Sequence, residues 1–143
     1  MGLKDLLGGG TQVVPVPMDD GETELVREVA AVHPGTLSSI PGDLVLTSSR
    51  LVFAPVQGKK APQLITWRFT KGKSRTKAPD ALAGVRPKDA PGLMRPPTLV
   101  LTTGDGTTWE IGILAGRRKA NRSPDNARAR DRIVQAIQGR LVD

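Results

Sequence analysis

Few residues in this sequence have side chains that could carry out chemistry. There is a single histidine, His33, which stands beside Pro34, and there is no cysteine. Without cysteine the chain has no disulfides, thiolate metal sites or cysteine nucleophiles. The glycine-rich stretches at 8–10 and 104–106 lack the Lys-Ser/Thr that follows in a phosphate-binding loop, and no His, Asp and Glu residues have metal-ligand spacing. We therefore expect no catalytic residue, no metal and no cofactor, and a protein that is not an enzyme.

The acidic residues do not offer a general acid–base pair either. Asp19 and Asp20 are adjacent in a segment that has no apolar period. Glu22, Glu24 and Glu28 follow among alternating apolar residues. We interpret these three glutamates as an exposed face of the first folded element.

Positive charge is concentrated in one segment, which is the most distinctive chemical feature of the chain. The net charge is +7, yet residues 56–79 contain no acidic residue, and the rest of the chain carries 14 basic and 14 acidic residues. Such a segment attracts phospholipid headgroups, nucleic acid or an acidic protein, although a solvated loop would look the same. The predicted residues that bind an anionic partner are Lys59, Lys60, Arg68, Lys71, Lys73, Arg75 and Lys77. A secondary basic patch is predicted at Arg117, Arg118, Lys119 and Arg122.

Short strands must position these residues, because 16 glycines and 12 prolines interrupt the chain. Alternating or β-branched apolar residues predict strands, and the strongest pair is a hairpin across Gly104-Asp105-Gly106. Residues 22–33 fit either a strand or a helix. The predicted strands lie at 43–47, 50–54, 63–69, 81–86, 98–102 and 107–114.

The last predicted element is an amphipathic helix. Ser123 suits the N-cap and Pro124 the first helical position, and the apolar residues beyond them recur at spacings of three and four. At the other end of the chain, residues 1–21 predict a flexible arm. Leu3, Leu6 and Leu7 could form one apolar turn there, which docks on a partner or on the domain itself.

The order of elements predicts a mainly β domain at 22–143. We expect a partly open barrel of about seven antiparallel strands, capped by one C-terminal helix. This order is similar to that of pleckstrin-homology-like domains. A sharper likeness follows from Gly42-Asp43-Leu44-Val45-Leu46-Thr47-Ser48-Ser49-Arg50-Leu51-Val52-Phe53, which resembles the GRAM-domain signature of a glycine that opens one strand and Arg-Leu-aliphatic-Phe that begins the next.

The resemblance implies a domain that binds lipids or proteins, and a strand at 22–33. Lipid-binding pleckstrin-homology domains place basic residues around the first hairpin, but residues 33–42 contain no Lys or Arg. We therefore expect the anionic partner to contact the basic segment at 56–79 instead.

The expected function is that of a binding module for an anionic membrane surface, with a protein-interaction or adaptor domain as the alternative. Nucleic acid is the less favoured partner, because the four aromatic residues fall in apolar strand patterns and leave few to stack on bases. No apolar run is long enough to span a bilayer, and we expect no signal peptide, because the N-terminus is too short and too charged for one. We expect a cytoplasmic protein that binds peripherally at the inner face of the membrane.

Overall fold

The described residues form seven strands and one helix, so the prediction of a mainly β protein is confirmed. The computed structural model describes residues 13–33, 40–57, 63–69, 80–88, 97–114 and 124–141. The elements are β1 (Glu24–His33), β2 (Ile40–Thr47), β3 (Arg50–Pro55), β4 (Ile65–Phe69), β5 (Ala81–Lys88), β6 (Thr98–Thr103), β7 (Thr108–Ile113) and α1 (Pro124–Leu141).

The strands form a ring in which each strand lies beside its neighbours in sequence and β1 pairs with β7. Six of the seven pairings are antiparallel, as expected. The contact between β4 and β5 differs, because it is parallel and joins only Arg68 to Ala81 and Phe69 to Leu82. The chain leaves β4 at Phe69 and returns to the same level at Asp80, whose carbonyl accepts a hydrogen bond from the backbone N–H of Arg68 (2.7 Å). We call this short parallel contact the β4–β5 seam.

The helix α1 lies along the part of β5 that β4 does not reach. The Gln138 side chain donates to the carbonyl of Val85 (3.2 Å). Nη1 of Arg130 donates to the carbonyls of Lys88 (3.2 Å) and Thr98 (3.4 Å). Val85 and Lys88 belong to β5 and Thr98 to the start of β6, so α1 completes the ring where the pairing of β4 with β5 stops.

The core fills the interior of the ring and follows the two-residue alternation of the strands. Trp67 of β4 and Trp109 of β7 meet there edge to face, with ring centroids 5.4 Å apart. The apolar stripe of α1 predicted from the sequence, including Ile133 and Ile137, packs into the same cluster. The largest fully buried side chains besides Trp67 are Phe53, Leu44, Leu46, Leu51, Leu82, Leu99, Leu101, Ile111, Ile113, Ile133 and Ile137.

A second apolar layer covers the outside of the β2–β3 hairpin. Val45 and Val52 point away from the interior, because their neighbours in sequence belong to the core, yet both are fully buried. Residues 13–22, which we call the strap, run outside β3 from its last residue to its first. At one end Val13 pairs with Val56, and at the other end the carbonyl of Pro17 accepts a hydrogen bond from Arg50.

The strap is part of the arm that the sequence predicts to be flexible. Its residues 13–21 lie against β3, and residues 1–12 lie outside the described part of the chain.

Candidate anion-binding site

Arg68 is the one residue of the predicted anion-binding set that falls within the described residues. Its neighbours Trp67 and Phe69 pack in the core, so the Arg68 side chain points outward from the end of β4, where it is exposed. The other members of the set and the whole secondary patch lie outside the described residues: Lys59, Lys60, Lys71, Lys73, Arg75, Lys77, Arg117, Arg118, Lys119 and Arg122.

The topology divides the basic segment into two parts. The connection that carries Lys59 and Lys60 leads into the first residue of β4, whereas the connection at 70–79 leaves from its last residue. Five strand residues span about 17 Å. Residues that are contiguous in sequence therefore join the fold at opposite ends of one strand, and the connection at 70–79 is the one that adjoins Arg68.

Most basic side chains of the described residues are already paired with carboxylates. Arg27 contacts Glu24 and Asp43, both at 2.9 Å. The remaining pairs are Arg50–Glu22, Lys88–Glu110, Arg128–Asp125, Arg130–Asp131 and, at 4.0 Å, Arg132–Glu28. These cations balance charges within the fold and are poor candidates for binding an external anion.

Three arginines form no ion pair with any described residue: Arg68, Arg86 and Arg140. They belong to β4, to β5 four residues beyond the seam, and to the last turn of α1. We call these three residues the seam arginines. Sequence reasoning missed Arg86 and Arg140, because the sequence shows how many charges there are but not which of them are paired.

Arg50 lies next to Arg68 across the β3–β4 pairing but has a different role. Its guanidinium donates to both oxygens of Glu22, at 2.8 and 3.1 Å. The same carboxylate accepts hydrogen bonds from the side chains of Thr47 and Ser49 and from the backbone of Asp19. The hydrogen bond from Arg50 holds the pKa of Glu22 far below its ordinary value, against the opposing effect of burial.

The prediction that Glu22 is an exposed residue is therefore wrong. Its side chain is 2% exposed and that of Arg50 8% exposed. A carboxylate is stable in such a position only when it is paired and fully hydrogen-bonded. The pair fastens the end of the strap to the start of β3, so we exclude Arg50 from the candidate site.

The excess positive charge lies outside the described residues. The described residues contain nine basic and eleven acidic side chains, whereas the rest of the chain contains twelve basic and three acidic ones. The positive net charge therefore comes entirely from the connecting and terminal segments.

The aromatic residues, all of which are described, pack with the core rather than on the surface. Trp67 and Phe53 are fully buried, and Trp109 and Phe69 are half-buried against the same cluster. Within the described ranges no three His, Asp or Glu side chains come close enough to hold a metal ion. No helix in the described part of the chain is long and apolar enough to cross a membrane.

The comparisons with known proteins support the fold alone. No protein-family model and no curated protein matches the chain. Among solved structures, the chain is similar to the crystal structure of the C-terminal domain of an unknown protein from Leishmania infantum. The TM-score is 0.55 and the identity 13%, and the match covers 83% of this chain and 87% of the other. The resemblance to GRAM and pleckstrin-homology-like domains stays a prediction.

Proposed function

We propose that this protein is a non-catalytic binding module that engages an anionic membrane surface. The seam arginines and the adjoining connection, with Lys71, Lys73, Arg75 and Lys77, would form the contact. The observation that supports this proposal is the partition of charge. Carboxylates pair with most of the cations among the described residues, and the excess positive charge lies in the remaining segments. One of these segments, the connection at 70–79, adjoins Arg68, which forms no ion pair with a described residue.

Such a contact would be weak and sensitive to salt. Each basic residue near an anionic surface contributes about 1 kcal/mol, which corresponds to about a fivefold change in affinity. Exposed charges are largely screened beyond about 10 Å at 0.1 M salt. We therefore expect binding that strengthens with the fraction of anionic lipid and weakens as the ionic strength rises.

Sedimentation with lipid vesicles tests the proposal. Vesicles of phosphatidylcholine are compared with vesicles that also contain phosphatidylserine, at two salt concentrations. We expect the protein to bind the anionic vesicles only, and R68Q combined with R86Q to weaken this binding about 10- to 30-fold. The matched control is R128Q combined with R132Q, which removes the same charge from two arginines of α1 that form ion pairs.

Two results would contradict the proposal. Equal binding to neutral and anionic vesicles, or to neither, would exclude an anionic membrane as the partner. An equal loss of vesicle binding in the control variant would show that binding depends on net charge and not on the position of Arg68 and Arg86.

An adaptor function is the second candidate, because β1 presents the exposed apolar side chains of Leu25 and Val29. Binding to a protein partner that is insensitive to R68Q and abolished by Val29→Ser would favour it. Nucleic acid is less favoured, because the aromatic side chains pack with the core and offer no platform for bases.

A further inference from the structure

The outer face of β1 carries apolar side chains that the described part of the fold leaves open to solvent. Leu25 is 45% exposed and Val29 is 43% exposed. Arg27 lies between them, and its guanidinium is held on both sides by Glu24 and Asp43. The charged residue is therefore fixed in place, while the two apolar residues beside it have no comparable cover.

A strand from a second copy is a poor occupant for this region. The register between β1 and β2 shifts between Glu24 and Val26, so Leu25 is the extra residue of a β-bulge. Bulges and charged residues at strand edges oppose edge-to-edge pairing between chains. The occupant must therefore contact the side chains of β1 rather than extend its hydrogen bonding.

The start of the strap lies near β1, because backbone pairing connects Val13 to β1 through two intervening strands. Val56 donates from its backbone N–H to the carbonyl of Pro41 (3.0 Å), and Pro41 lies opposite Ala31 of β1. Val13, Val56, Pro41 and Ala31 therefore follow one another across the sheet as neighbours in backbone pairing. The N-terminal chain enters the described fold three strand positions from β1.

The chain before the strap is long enough to reach β1. Three strand spacings, about 15 Å, separate Val13 from Ala31, which places Val29 about 17 Å and Leu25 about 25 Å from Val13. Leu7 precedes Val13 by six residues and Leu3 by ten, which allows spans of about 20 and 33 Å. Gly8-Gly9-Gly10 lies between Leu7 and Val13, and glycine readily adopts the backbone conformations that a reversal of chain direction requires.

We propose that the apolar N-terminal residues Leu3, Leu6 and Leu7 of the same chain dock on the outer face of β1 and cover Leu25 and Val29. This contact would continue the N-terminal chain from its pairing with Val56 to the outer face of β1. It does not depend on the proposed membrane contact.

Disulfide trapping tests the docking directly, because the native chain contains no cysteine. The test variant combines Leu7→Cys with Val29→Cys. The matched control combines Leu7→Cys with Arg128→Cys, a position on α1 whose side chain is 69% exposed. Under mild oxidation of dilute protein, we expect an intramolecular disulfide to form at least tenfold faster in the test variant, since a disulfide requires close Cβ atoms. Equal rates in the two variants, or cross-linked dimers instead, would overturn the proposal.

Amide NMR spectra provide a measurement without engineered cysteines. The variant L3S, L6S and L7S keeps the full chain and removes the apolar side chains. We expect its amide shifts to change within residues 25–31 and to remain unchanged in α1. If the shifts of β1 stay the same while vesicle binding weakens, the leucines contact the membrane and the docking proposal is wrong. If the shifts of β1 change while the native protein binds no anionic vesicles, the docking stands and the proposed function fails.

Discussion

Glu22 and Arg50 form an ion pair that is almost completely removed from water, and five hydrogen bonds hold the carboxylate in place. A pair of this kind adds little stability compared with apolar residues of the same shape, but removal of one partner leaves the other buried and uncompensated. The pair therefore fixes where the strap ends and where β3 begins.

We expect Glu22→Gln to lower the free energy of unfolding by about 2 kcal/mol, because Arg50 would keep its charge and lose its counter-ion. The control is Glu24→Gln, which removes an exposed partner of Arg27 and should cost less than about 1 kcal/mol. Urea unfolding followed by tryptophan fluorescence measures both variants. Equal losses would mean that the Glu22–Arg50 pair is no more important than a surface ion pair.

The same residue gives stability a defined dependence on pH. The pKa of Glu22 is lowered in the folded state from an ordinary value of 4.5, chiefly by the hydrogen bond from Arg50. The stabilisation is therefore complete above about pH 4.5 and is lost as the pH falls towards the folded-state pKa. Between pH 6 and pH 3, the melting temperature of Glu22→Gln should fall less than that of the native protein. A parallel fall in both would exclude this contribution.

Gly42 of β2 is required by the close approach of β3. A Cβ atom at this position would lie 2.2 Å from the carbonyl oxygen of Ala54 and 2.8 Å from the ring of Phe53. We expect Gly42→Ala to destabilise the protein by about 2 kcal/mol or more, because backbone would have to move. At Gly84 of β5 the same change meets nothing within 4 Å, so Gly84→Ala should be close to neutral. Thermal unfolding compares the two, and similar losses would refute the steric explanation.

At the scale of elements, the sequence predicted those strands and turns that local chemistry specifies. The turn between β6 and β7 is one example, because the Asp105 carboxylate accepts hydrogen bonds from Thr103 and from the backbone of Thr107, and Gly106 has φ of +90°. The parallel seam and the strap were not predictable in this way. They depend on contacts between distant residues, such as Arg50 with Glu22, which leave no periodic signal.

The candidate site was predictable only in part, for the same reason. Charge counts located the basic segment, but pairing in space decides which cations remain available. Arg50 and Arg68 both lack an acidic residue within six positions in the sequence, and only the fold places the carboxylate of Glu22 beside the first of them.

The attachment of α1 to β5 depends on Arg130, whose side chain is 6% exposed. We expect Arg130→Leu to cost about 2 kcal/mol, since the carbonyls of Lys88 and Thr98 would each lose a donor. Hydrogen exchange should accelerate in β5 and α1 more than in β2. The control Arg128→Leu changes an exposed arginine of the same helix and should leave these rates unchanged. Uniform acceleration in the Arg130 variant would indicate global destabilisation instead.

For the whole molecule, the pairing of β1 with β7 joins the first and last strands, so the ring closes only when distant parts of the chain meet. Topologies of this kind fold slowly, within milliseconds to seconds. Trp67 belongs to β4, before the connection to β5, and Trp109 belongs to β7, after it. Their side chains nevertheless touch in the interior of the sheet. We expect one transition, with the same midpoint by tryptophan fluorescence and by far-ultraviolet circular dichroism. Two separated midpoints would show that the protein does not unfold in a single step.

Burial on both sides of the β2–β3 hairpin also affects how the sequence can drift. Leu44 and Leu46 face the interior while Val45 faces the opposite side and is also fully buried, so this part of the hairpin has no side on which substitutions are harmless. In β1, by contrast, tolerated and intolerant positions should alternate every two residues. Over evolutionary time the hairpin should therefore change least, and a distant relative would be recognisable there after the rest of its sequence had diverged.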